Sequence, residues 1–301
     1  MYEAIAENRR RTVVLVGAAI ALLGAVGYAL GYLYSTGPTG MVVALAVASL
    51  ASWGSYRYGD RIVLRSTRAK EVTAEEEPRL HNIVEGLAIA AGIPKPRLYV
   101  VPEDAPNAFA TGRDPEHASI AVTRGLLERM DRLELEGVIG HELAHVADRD
   151  ILLGTIVATL IGAVVLISDF FVRSMWFGGF GGRRDDRESG PLSGIFAIVG
   201  LLLVIAAPII GQIVKLAVSR QREYQADAQG VLYTRYPPGL IAALKKIEAA
   251  SDIPMRTASN ATAHLWLSQP SRIPGPNRSG MESLFSTHPP VAERIRRLAE
   301  M

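Results

Sequence analysis

His141-Glu142-Leu143-Ala144-His145 sets two imidazoles four residues apart with a carboxylate between them. On a helix, positions i and i+4 stand one above the other, so both rings reach one metal ion while the neighbouring carboxylate touches water rather than the ion. That is the donor pattern of zinc-dependent hydrolysis. With only 6 His in 301 residues, roughly 0.007 such pentamers are expected by chance, which disfavours the plainer reading of two helix-surface histidines. A hydrolytic zinc takes three protein ligands and keeps one position open. The chain has no cysteine, so the third donor is His, Asp or Glu. Glu223, in Arg222-Glu223-Tyr224-Gln225-Ala226-Asp227, is the best candidate, because its helical segment follows an apolar one and Asp227 lies one turn further on the same face. Asp227 is then placed to accept a hydrogen bond from a ligand imidazole and fix its tautomer.

The elements that position these groups include membrane segments. A composition of 49% hydrophobic residues with mean hydropathy +0.19 is too apolar for an ordinary soluble chain of this length. Residues 12–34 are uncharged and long enough to cross a hydrocarbon core of about 30 Å. Residues 41–56 form a shorter uncharged stretch ending in the interfacial aromatics Trp53 and Tyr56, with Gly37-Pro38-Thr39-Gly40 as the turn between the two. Residues 151–172 carry only Asp169, and residues 191–214 carry no charge, with Pro208 as a kink. For this second pair a buried helical hairpin in a soluble domain is the alternative to spanning. Arg9, Arg10 and Arg11 precede the first span, and Arg57, Arg61, Arg65, Arg68 and Lys70 follow the second, which places the N-terminus and the catalytic part in the cytoplasm. The arginines between residues 173 and 190 complicate that four-span topology. A net charge of +2 gives no support for nucleic acid as a partner, and the absence of cysteine excludes disulfides and thiolate chemistry.

Between the apolar pairs the pattern turns globular. An acidic start at Thr73, Glu75, Glu76 and Glu77 leads into Leu80, Ile83, Val84 and Leu87 at helical spacing, stopped by Gly92 and Pro94. His81 on that helix reads as an ordinary surface or packing residue. Residues 97–101 and 118–123 read as strands, and 107–112 as a third on a sheet edge. Asp131 and Glu134 make a capping box, so the metal-motif helix starts near Arg132, buries Leu133, Val138, Ile139, Leu143 and Val146, and continues without a breaker into Ile151. A helix over 215–229 with Gly230 as its stop, another over 238–250, and a last amphipathic helix from Pro290 complete the expectation. The chain thus divides into a transmembrane hairpin (1–56), a first catalytic part (57–150), a second hairpin (151–214) and a second catalytic part (215–301).

Three separated motifs in order, His141-Glu142-Leu143-Ala144-His145 running on to Asp150, Arg222-Glu223-Tyr224-Gln225-Ala226-Asp227, and Thr287-His288-Pro289-Pro290, resemble those of the HtpX-type membrane zinc endopeptidases, relatives of the type I CaaX prenyl proteases. The resemblance covers nearly the whole chain. It implies an α+β, mainly α, gluzincin-like fold with a small sheet and about four transmembrane helices. It also implies one Zn2+ held by His141, His145 and Glu223, with Glu142 as catalytic base and Asp227 behind a ligand. By the same resemblance Asn107, Ala108, Phe109, Ala110 and Thr111 form the edge strand that pairs with an extended substrate, and His288 and Arg294 stabilise the transition state. His117 and His264 carry no motif and stay outside the expected site.

The expected activity is cleavage of misfolded or membrane proteins at the cytoplasmic face of the cell membrane, because backbone pairing reads extended shape more than side chains. Two competing functions are a processing peptidase for prenylated C-termini, disfavoured because relatives with that role are longer, and a membrane chaperone that binds clients without cutting them. The latter is disfavoured by the presence of both the ligands and the base. The sequence leaves the oligomeric state open.

Overall fold

The computed structural model describes residues 38–162, 220–259, 261–270 and 289–301, with scattered helical positions between residues 6 and 28. The expected span over 12–34 is therefore described only in part. The expected span over 191–214, the basic loop before it and His288 lie outside the described residues.

Helix α1 (Thr39–Ser66) is longer than the segment expected at 41–56, because nothing breaks it after Tyr56. At about 1.5 Å per residue it runs on the order of 42 Å. It is the one described helix long and apolar enough to cross a membrane. Val42, Val43, Val47, Leu50 and Trp53 face outward along it, and Arg57, Arg61 and Arg65 occupy its last turns.

The short strand β1 (Lys70–Glu71), not anticipated, opens a four-stranded sheet. Thr73 and Glu76 bond reciprocally in a turn, so the acidic run precedes the next helix rather than starting it. Helix α2 (Pro78–Ala91) begins instead with proline in its first turn and ends at Gly92 in the left-handed conformation (φ 69°). Strands β2 (Arg97–Val101), β3 (Ala108–Gly112) and β4 (Ala118–Thr123) complete the sheet in the order β1-β2-β4-β3, with β2 parallel and β3 antiparallel to β4. These strands read as nearly continuous apolar runs because both faces of the sheet are covered. Leu98, Val100, Ala108, Ala110, Ile120 and Val122 pack with the helices on one side. Tyr99, Val101, Phe109 and Ala121 pack on the other with Val63, Leu64 and Trp266.

After α3 (Arg124–Arg129), helix α4 (Arg132–Ala147) starts on the expected capping box and carries the metal motif. Its buried stripe omits Leu133, which is exposed. Instead Gly137 and Gly140 take buried positions, where any Cβ would press on the backbone of Leu240 and Gly230. Helix α5 (Asp150–Gly162) follows after a two-residue break. The two helices are thus nearly continuous, interrupted at Arg149, which adopts a left-handed φ of 59° without being a glycine. Helix α6 (Arg220–Thr234) runs through Gly230, contrary to the expected stop. That glycine serves close approach rather than termination, since a Cβ there would lie 2.8 Å from the His141 backbone nitrogen. Helices α7 (Pro237–Ala249) and α8 (Val291–Leu298) finish the described fold.

Candidate metal centre

Helix α4 supplies His141 and His145 and helix α6 supplies Glu223, and the Gly140–Gly230 contact brings the two backbones together where these side chains meet. His141 Nε2 lies 3.1 Å from His145 Nε2. The Glu223 carboxylate spans the pair, with Oε2 3.8 Å from His141 Nε2 and Oε1 3.6 Å from His145 Nε2. Three donors each about 2.1 Å from one centre at near-tetrahedral angles stand about 3.4 Å apart, so this spacing fits one small cation. Among the described residues these three form the one cluster able to hold a metal.

The hydrogen bonds behind the rings make the same point. His141 Nδ1 lies 2.9 Å from Asp227 Oδ1, and His145 Nδ1 lies 2.9 Å from Asp150 Oδ2. Each Nδ1–H is best assigned as donor to its carboxylate, which turns an Nε2 lone pair towards the centre. Two such lone pairs 3.1 Å apart repel unless a proton or a cation lies between them. Burial and the Arg294 charge push the His141 pKa down to about 4, against the pull of Asp227. For His145 burial alone would lower the pKa, but Asp150, Glu223 and Glu142 raise it to about 9. In the metal-free protein the proton therefore sits on His145, and a metal ion has to displace it.

Each supporting carboxylate is itself held by an arginine. Arg294, only 1% exposed, donates from Nε to Asp227 Oδ2 at 2.9 Å and from Nη2 to Oδ1 at 2.6 Å. Burial would raise the Asp227 pKa, but the guanidinium brings it down to about 2. Arg222 Nη1 donates to Asp150 Oδ1 at 3.2 Å. The Asp150–Arg222 pair escaped the sequence reading, because its partners are 72 residues apart and belong to no periodic pattern.

Glu142 is 2% exposed. Burial raises its pKa to about 7, with a smaller lowering contribution from the Ala110 backbone N–H that donates to it. Ala110 and Glu142 line one cleft with the three donors, His264 and Trp266. His264, omitted from the expected site, enters through a short 3-10 turn and bonds the Gly154 carbonyl through Nε2 at 3.1 Å. No local signal in the sequence marks it.

Of the expected substrate strand, the structure places Ala110 at the cleft. β3 pairs with β4 on one side. On its other side Leu267 N–H donates to the Ala108 carbonyl, Asn107 is bonded to the Ser268 backbone, and Gly112 N–H donates to Thr155 Oγ1. Phe109 packs edge-on against Trp266 at 4.7 Å, and Thr111 Oγ1 bonds Thr155 Oγ1.

Two imidazoles and a carboxylate spaced to hold one cation, with a buried carboxylate beside them, are the arrangement of a metal-dependent hydrolase. The model of peptidase family M48 matches residues 74–301, and the chain belongs to that family. It is a membrane metalloprotease. A protein described as a protease HtpX homolog from Caldanaerobacter subterraneus subsp. tengcongensis is 47% identical over 301 residues, spanning 100% of this chain and 98% of the relative. Similarly described proteins from Dictyoglomus thermophilum and Lactobacillus acidophilus are each 43% identical and span 100% of this chain, with 94% and 100% of the relative covered. Among solved structures, Ste24p of S. mikatae aligns over 99% of this chain and 67% of its own, with TM-score 0.49 and 20% identity.

Proposed function

We propose that the protein is a multi-pass zinc endopeptidase that cleaves misfolded or membrane polypeptides at the cytoplasmic face of the cell membrane. The observation that carries this reading is the convergence of His141, His145 and Glu223 with Glu142 buried beside them. His141, His145 and Glu223 hold the ion. Zinc, when bound in such a site, supplies Lewis acidity that makes water a nucleophile near neutral pH. Glu142 takes the proton from the attacking water and passes it to the leaving amine, a task suited to a carboxylate whose pKa is about 7. Ala110 offers its backbone to an extended substrate in the cleft. Asp227, held by Arg294, keeps His141 in the ligating tautomer. His288 is proposed as an oxyanion donor on the strength of the family pattern. Arg9 to Arg11 and the basic end of α1 support the cytoplasmic orientation.

The test is Glu142→Gln beside Glu223→Ala in the purified full chain, measuring metal content and hydrolysis of an unfolded casein-like protein. Glu142→Gln should keep one zinc per chain and lose cleavage, while Glu223→Ala should lose both. Full metal retention by Glu223→Ala would overturn the ligand set. A prenylated peptide cut far better than the unfolded protein would overturn the substrate class.

A further inference from the structure

Where the basic end of α1 meets the catalytic part, a cavity of about 150 Å3 opens between α1, α5 and the end of β3. That volume takes more than a single water molecule and is enough for a phosphate group. Arg57, Arg61, Arg97 and Arg113 line it, against the two carboxylates of Asp60 and Glu116. Arg97 is paired with Asp60 at 2.9 Å and Arg113 with Asp114 at 3.4 Å. Arg57 and Arg61 have no carboxylate partner among the described residues. Their guanidinium carbons lie 5.7 and 5.8 Å from the Tyr58 ring centroid.

We propose that this cavity binds the headgroup of an anionic glycerophospholipid. Guanidinium groups are suited to phosphate because they offer paired N–H donors in a planar fork, and basic pockets at the cytoplasmic ends of membrane helices take anionic headgroups. The position on α1 favours a lipid over a free anion. Trp53 and Tyr56, both exposed, stand directly before Arg57, and Val42, Val43, Val47 and Leu50 continue an outward apolar surface along the same helix for the acyl chains. Gly112 and Thr155 also line the cavity, joined by the Gly112 N–H bond to Thr155 Oγ1. A bound headgroup would therefore sit at the far end of the strand whose Ala110 faces the metal cleft. This inference rests on the proposed placement of α1 in the bilayer.

The experiment uses the full chain in detergent, with dioctanoyl phosphatidylglycerol, dioctanoyl phosphatidylcholine and inorganic phosphate as probes, read by native mass spectrometry and by the melting midpoint. Phosphatidylglycerol should remain as one adduct and raise the midpoint, while the other two should do neither. Arg57→Gln with Arg61→Gln should weaken phosphatidylglycerol binding about thirtyfold, Arg113→Gln alone should weaken it less, and the distant Arg296→Gln should leave it unchanged. Equal binding of phosphatidylcholine, or unaltered binding by both cavity variants, overturns the site. An equal response to inorganic phosphate overturns the lipid. Release of the chain from membranes by alkaline carbonate would instead refute the placement of α1, so the two failures are told apart.

Discussion

Replacing Asp227 with asparagine keeps the size of the side chain and removes its charge. Arg294 then stays buried at 1% exposure without the carboxylate that receives its hydrogen bonds at 2.9 and 2.6 Å. Breaking a buried ion pair from one side costs about 3–5 kcal/mol, most of it the stranded charge. For a chain of this size that lowers the melting midpoint on the order of 10 °C. Arg294→Met strands the opposite charge and should cost a similar amount. The double variant Asp227→Asn with Arg294→Met leaves no unpaired ion and should recover more than half of the summed loss. The assay is thermal unfolding of the four metal-free proteins in one detergent, followed by intrinsic fluorescence. A coupling energy below about 1 kcal/mol, with the two losses simply adding, would refute the reasoning that the pair stands or falls together. Zinc affinity of Asp227→Asn should also fall about 10–100-fold through loss of ring orientation at His141.

Glu142 has a pKa raised from 4.5 to about 7, so the metal-free fold prefers its neutral form. Its contribution is fully present below the unfolded value and is lost as pH rises through about 7, a loss of about 3 kcal/mol at alkaline pH. Glu142→Gln without metal should therefore melt higher than the parent at about pH 8.5 and equally at about pH 4.5; equal melting at both values would refute the assignment. Asp150→Asn should weaken zinc binding about 10–100-fold in chelator competition, and unchanged affinity would show that His145 needs no orienting carboxylate. Gly230→Ala gains about 1 kcal/mol of helix propensity but sets a methyl 2.8 Å from the His141 nitrogen. A net destabilisation of about 1–3 kcal/mol, together with reduced metal content, is expected from melting and metal analysis.

The cluster of candidate metal donors was legible because its chemistry is local. His141 and His145 declare themselves by helical spacing, Glu223 by its relation to Asp227, and the start of α4 by the exchange between Asp131 and Glu134. The edge position of β3 also followed from its own residues. The missing parts depend on partners far apart in the chain. Nothing near Asp150 or Arg222 announces their pairing, and His264 reaches the cleft only because a loop returns to β3. Gly230 was misread for a different reason, since a glycine that ends a helix and one that lets two helices touch look alike in a sequence. Arg149 breaks the helix against its own residue type, which the side-chain ties at Asp148 and Asp150 on either side accompany.

Helix α4 brings two donors before the second apolar pair of segments (151–214), whereas the third donor and the arginine behind it come after. The His141–His145 pair alone offers an ion two handholds, and the Asp227 clamp closes only once the final helix has docked. The cluster of donors is complete only when the later helices have closed on the early one.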